Sequence, residues 1–163
     1  MVWGAIWRGE RSELICFDQS ESEGKKAGVT AAIYQDQITK GELKNNWQQV
    51  SREWRGYGRP RILEDGSRVH ILLINRSVGA RQGFQYLNHP PYSPDLKPNK
   101  NCWALLKRKL SHTSPRPTTA AGMFQAAKEI WAAIPQAHID TTVDSMVWRL
   151  KEVKKRRGLS LPC

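Results

Sequence analysis

The stretch that most constrains this chain is Pro90 to Leu110, PPYSPDLKPNKNCWALLKRKL. Pro90, Pro91, Pro94 and Pro98 each fix φ and push the preceding residue toward extended geometry, so no helix is expected ahead of Pro98. Pro98 itself suits the first turn of a helix, where its missing N–H has no partner to lose. Trp103, Leu106 and Leu110 then recur at helical spacing, with Lys107, Arg108 and Lys109 beside them. These residues predict a basic amphipathic helix over 98–111, delivered to a fixed place by a stiff strap.

The rest of the chain alternates between strand and helix signals. Residues 1–17 predict a β-hairpin. Val2 to Trp7 reads as a strand buried on both faces, and Glu13 to Phe17 pairs with it across a Gly9-Glu10-Arg11-Ser12 turn. After a polar loop over Ser20–Gly28, helices are expected over Val29–Leu43 and Asn46–Arg55. In the second, Trp47, Val50 and Trp54 share a core face, a reading favoured over nucleobase platforms. A Gly56–Pro60 turn leads to a short strand, Arg61–Glu64, that presents Asp65 at its C-terminal end, where open α/β sheets place their chemistry. Ile71–Arg81 reads as a helix with Ile71, Ile74 and Val78 inward and Gly83 past its end, followed by a strand over Phe84–Leu87. Ser114-Pro115-Arg116-Pro117 is a break. Thr118 or Thr119 then caps a helix to Ala133, with Phe124, Ala127, Ile130, Trp131 and Ile134 inward. Ile139, Val143, Met146, Leu150 and Val153 line a last helix that runs into Lys154-Lys155-Arg156-Arg157. This succession is an α/β pattern.

Composition narrows the function classes. No apolar run approaches the roughly 20 residues of a membrane span, and the N-terminus lacks a signal peptide's build, so no membrane partner is expected. Cys16, Cys102 and Cys163 are odd in number and far apart, which suits a reducing compartment and not a zinc site. Of the net charge of +11, residues 97–163 supply +9, from 13 Lys and Arg against 4 Asp and Glu. A one-sided basic field favours a polyanion, and the phosphate backbone is the commonest.

Three landmarks, in order, resemble one family. Ser93-Pro94-Asp95-Leu96-Lys97-Pro98-Asn99-Lys100-Asn101-Cys102-Trp103 is similar to the SPDLNPIENLW signature of Tc/mariner-type DDE transposases. Ile62 to His70 resembles that family's strand ending in D-N-A-P-x-H, with Asp65 and His70 five positions apart. Val2-Trp3-Gly4-Ala5-Ile6 resembles its V-W-G strand. Between Asp65 and Lys100 lie 34 residues, the spacing one branch of the family keeps between its second and third acids. The resemblance implies an α/β, ribonuclease H-like mixed sheet with flanking helices, lacking the first catalytic strand. The expected division is a truncated DDE endonuclease domain over 1–111 and a helical extension with a basic tail over 112–163.

The family's reaction is metal-dependent DNA cleavage and strand transfer, with Mg2+ or Mn2+ held between acidic residues. Two such cations clamp the attacking and leaving oxygens of an in-line displacement. Asp65 matches the second acid and is the candidate metal ligand; it also reads as a turn-capping residue before Gly66. His70 matches the family's histidine near that aspartate, where it would orient a ligand or the backbone from outside the metal's own ligand set. It reads equally as a partly buried histidine opening a helix. Lys100 stands where the third acid belongs. An ammonium in place of a carboxylate turns an attraction of roughly 4 kcal/mol at 4 Å and a dielectric of 20 into a repulsion. Tight metal binding is therefore not expected, and Lys100 is expected to pair with Asp65 instead. Lys97 replaces the family's capping asparagine, at an expected cost of about 0.5–2 kcal/mol, and adds a second cation to the positive end of the helix. Asp95 reads as a turn residue.

The sequence thus points to a degenerate transposase catalytic-domain fragment, nuclear, with DNA as partner and homodimerisation as the resemblance implies. DNA contact is expected from Lys97, Lys107, Arg108, Lys109, Lys154, Lys155, Arg156 and Arg157. Two alternatives stand beside it. One is part of an active endonuclease whose first acid comes from a missing segment; the other is a non-functional relic.

Overall fold

A computed structural model describes residues 1–17, 28–54, 56, 58–65, 67–87 and 93–161. The Ser20–Gly28 loop, apart from Gly28, lies outside them, as do Pro90 and Pro91 of the strap. The hairpin is present as four short strands. β1 (Val2–Trp3) pairs antiparallel with β4 (Ile15–Cys16), and β2 (Ile6–Trp7) with β3 (Glu10–Arg11). The turn falls at Arg8–Gly9, earlier than expected, because Gly9 supplies the left-handed φ of +92° that the tight reversal needs. Between the two pairs the side chain of buried Ser12 substitutes for the ladder. Its Oγ accepts from Ala5 N at 2.8 Å, and its own N–H donates to Ala5 O at 2.9 Å. The first strand is half-buried, not enclosed on both faces.

The chain divides into two compact units. The first comprises Met1 and Phe17–Tyr92, the second Val2–Cys16 and Ser93–Cys163.

In the first unit, Thr30 caps α1 (Ala31–Tyr34), its hydroxyl accepting from Ile33 N at 3.2 Å. The helix continues through a π-helical segment, Gln35–Glu42, into α2 (Leu43–Glu53). The two expected helices are therefore one run. Its distortion sits at Gly41 (φ −99°, ψ −107°). Ile33, Tyr34, Ile38 and Thr39 face inward. Trp47, Val50 and Trp54 are half-buried, so they flank the core and do not fill it. Trp47 meets Phe84 at 5.6 Å between ring centroids.

The helix expected over Ile71–Arg81 starts at α3 (Arg68–Ile71), breaks at Leu72 (ψ 134°) and resumes as α4 (Leu73–Arg81). Its inner face is Asn75 and Gly79, and Ile74 is 57% exposed, against expectation. Close packing sets that rotation. A Cβ on Gly79 would overlap the Tyr86 hydroxyl, and Asn75 Nδ2 donates to Val69 O at 2.5 Å. The strands expected at Arg61–Glu64 and Phe84–Leu87 reduce to one parallel bridge, Ile62 to Tyr86. Ile62 N donates to Gln85 O at 2.7 Å, and Leu87 N to Ile62 O at 2.8 Å. Pro60 has no N–H to extend this ladder. Among the described residues, the mixed sheet of the sequence reading is thus two antiparallel pairs and this bridge.

In the second unit a 3-10 turn, Pro94–Leu96, precedes the helix, so the strap is helical ahead of Pro98 after all. Pro94 opens that turn, where its missing N–H is unneeded. α5 (Asn99–Ser111) follows with Pro98 as its cap residue. α6 (Ala120–Ala132) is capped by Thr119, which accepts from Gly122 N at 3.1 Å, and α7 spans Gln136–Lys155. The core is Leu14, Cys102, Leu106, Ala127, Trp131, Ile134 and Ile139. Burial raises the pKa of the Cys102 thiol, which makes it a packing residue. Leu150, expected inward, is 50% exposed. α7 instead turns Arg149 toward the 3-10 turn, where it donates to Asp95 O at 2.5 Å. Asp95 Oδ2 also accepts from Leu161 N at 2.9 Å, so this residue ties the chain beyond α7 to the turn.

The hairpin turn is tied to α7 by Gly9 N, which donates to Asp140 Oδ1 at 2.8 Å. That backbone bond, with the Gln136 amide second, holds the Asp140 carboxyl below its ordinary value. A depressed folded pKa contributes stability above the unfolded value that is lost as pH falls through the folded one. Asp140→Asn is therefore expected to be less stable than the parent at neutral pH. The gap should close below roughly pH 4 in urea melts run across pH; a constant gap would show that the amide's shape, not the charge, matters.

Candidate functional site

Asp65 is placed by the short Ile62–Tyr86 bridge, which ends just before Glu64 turns inward. The Glu64 side chain is 9% exposed, and Oε1 accepts from the Tyr34 hydroxyl at 2.7 Å. Arg76 Nη2 lies 3.6 Å from Oε2, and its guanidinium stacks over the Tyr86 ring at 3.8 Å from the centroid. Burial first, and the Glu64 charge second, push the Tyr86 phenol up to about 12, against the opposing pull of Arg76. Tyr86 is therefore a neutral hydroxyl, and the Glu64 carboxylate has the Tyr34 hydroxyl on one oxygen and the Arg76 guanidinium beside the other.

Asp65 itself is 54% exposed. Its Oδ1 accepts from Ser67 N at 3.0 Å, a turn contact two residues on, and lies 2.6 Å from His70 Nδ1. The contact is an ion pair when the ring is protonated. The ring packs on Tyr34 at 4.5 Å. The five-residue spacing read in the sequence thus brings His70 onto Asp65 through the start of α3, and the turn-capping role of Asp65 is present as well.

A two-metal clamp needs several oxygen ligands converging on one space. Here His70 is turned onto Asp65, and Glu64 is committed to Tyr34 and Arg76. Among the described residues no group of three His, Cys, Asp or Glu side chains is gathered that would hold a cation. The groups around Asp65, among the described residues, do not gather the set of oxygen ligands that Mg2+ or Mn2+ takes.

In the second unit, Lys97 is half-buried and Lys100 is exposed in the first turn of α5. Lys100 N donates to Lys97 O at 3.1 Å, and no side chain caps this helix. Asn99 Nδ2 reaches Gly4 O at 3.0 Å, which docks the helix start on the hairpin. Lys107, Arg108 and Lys109 are exposed together on α5, and no carboxylate pairs with them among the described residues. At the end of α7, Lys154, Lys155 and Arg157 are exposed. Arg156 differs in that its Nε pairs with Glu152 Oε1 at 2.9 Å.

Two features escaped the sequence reading. The Tyr34, Glu64, Arg76 and Tyr86 network joins residues up to 52 positions apart, and no spacing announces it. Trp148 is 59% exposed on α7, and its signal was readable, since it falls out of phase with the inward series of that helix.

The fold is that of a transposase catalytic domain. A Mos1 transposase catalytic domain solved with raltegravir and Mn aligns with a TM-score of 0.68 at 19% identity, covering 99% of this chain and 82% of that one. The Mos1 domain solved with raltegravir and Mg gives 0.66 at 20% identity, covering 83% and 66%. No protein-family model matches the sequence. The sequence is 28% identical over 160 residues to the Tc3 transposase of Caenorhabditis elegans, covering 97% of this chain and 44% of that protein. It is 30% identical over 120 residues to the Tc1 transposase of the same organism, covering 72% and 43%. The chain belongs to the Tc/mariner family of DDE-type transposases. It spans less than half the length of these curated relatives.

Proposed function

We propose that this chain is a transposase-derived domain that binds DNA, salt-dependently and with little sequence preference, and does not cleave it. The observation that carries the reading is the exposed Lys107-Arg108-Lys109 run on α5, with Lys154, Lys155 and Arg157 as a second exposed group. Such charges contact phosphates and carry no base code. Loss of cleavage follows from Lys100 at the third-acid position and from a donor set around Asp65 that, among the described residues, does not fit two metals. DNA as partner makes the nucleus its place of work.

Titration of labelled duplex at several salt concentrations tests binding. Lys107→Gln/Arg108→Gln/Lys109→Gln is expected to flatten the log–log salt slope by about 2.7 and weaken affinity near 0.15 M salt by about 100-fold. An unchanged slope would remove α5 from the interface. With Mg2+ or Mn2+ added, no nicking is expected. Nicking that disappears in Asp65→Ala would establish the alternative, an active endonuclease part.

A further inference from the structure

α7 carries an unpartnered face that DNA-backbone binding alone does not explain. Val147 is 62% exposed and Trp148 59%, two large apolar side chains adjacent on the helix. Lys151, Lys154 and Lys155 are exposed among them. At 100° per residue, Trp148, Lys151 and Lys155 share one stripe, and Val147 and Lys154 lie along one side of it. From Trp148 to Lys155 the stripe runs about 10 Å along the axis, at 1.5 Å per residue.

The carboxylates nearby are already committed. Asp144 is paired with Arg8 at 3.1 Å, and Glu152 with Arg156 at 2.9 Å. The three lysines therefore present uncompensated positive charge around an exposed indole. Pairing this face with its own copy would oppose lysine to lysine with no free acid between them. A polyanion that also offers flat apolar rings satisfies both features, and single-stranded nucleic acid has that chemistry. Its phosphates suit ammonium groups, and an unstacked base offers a π-face to tryptophan.

We propose that the solvent face of α7 is a platform for unpaired DNA, on which a base stacks on Trp148 while Lys151 and Lys155 hold the flanking phosphates. The inference rests on the DNA-binding reading above and deepens it, because duplex bases are stacked internally and cannot use Trp148.

The test compares Trp148→Ala with the parent for binding to a labelled single-stranded oligonucleotide and to a duplex of the same sequence. Trp148 is exposed, so the variant should keep its near-ultraviolet circular dichroism transition. The expected result is a loss of about tenfold or more for the single strand, with duplex affinity unchanged. Lys151→Gln/Lys155→Gln should flatten the single-strand salt slope by about 1.4. Equal effects of Trp148→Ala on both DNAs, or none on either, would overturn the platform and leave the DNA-binding reading standing. Absence of binding to any DNA by the parent would instead overturn that reading. Concentration-dependent self-association of the parent, abolished by Trp148→Ala, would assign the face to a second copy and also overturn the platform.

Discussion

Trp131→Ala is expected to destabilise the second unit by about 3–5 kcal/mol, the range for deleting a large aromatic from a packed core. The ring is 2% exposed and stacks on Trp103 at 5.0 Å with a 23° interplanar angle. Its Nε1 donates to Ser12 O at 2.9 Å, so truncation also strands a buried carbonyl in the hairpin. Gly4 completes the seat, since a Cβ there would stand 3.0 Å from the Trp131 ring. One side chain thus joins α6, α5 and the hairpin. Urea unfolding followed by near-ultraviolet circular dichroism checks the prediction, and Trp131→Phe, which keeps most of the stacking, should cost clearly less. A loss below 1 kcal/mol for the alanine variant would mean the hairpin is not seated on α6.

The first unit has a different weak point. Arg76→Met is expected to cost about 3 kcal/mol, because among the described residues it leaves the nearly buried Glu64 carboxylate with only the Tyr34 hydroxyl. The figure sits at the low end of the range for breaking a buried pair, since Arg76 is 28% exposed and the contact is 3.6 Å. The same substitution removes the guanidinium from the Tyr86 ring. The double variant Glu64→Gln/Arg76→Met should recover part of the loss, since no charge is then left uncompensated. Near-ultraviolet signal from the Trp47 and Phe84 contact is the reporter for this unit. If the double variant is no better than the single one, the loss comes from stacking on Tyr86 and not from the ion pair.

Local signals in the sequence determined much of this molecule. The hairpin, the Thr119 cap, the inward faces of α5 and α6 and the glycine stop after α4 depend on alternation, helical period, capping oxygens and positive φ, all of which act over a few residues. The landmarks at Val2–Ile6, Ile62–His70 and Ser93–Trp103 likewise disclosed the family, because they keep its residue types in order and at its intervals, even with Lys100 in place of an acid.

The tertiary structure decided the rest. Helical period predicted inward positions for Ile74 and Leu150, but packing rotated both helices: Gly79 and Asn75 dock against α4's neighbours, and Arg149 reaches the Asp95 carbonyl. The network around Glu64 and the pairing of His70 with Asp65 depend on chain segments that meet only after folding. Trp148 and its lysines became a surface because α7 buries Ile139 and Thr142 on its other side. Periodicity specifies that a helix has an apolar face. Which residues end up covered depends on what packs against it, and that information lies in the partners, not in the helix.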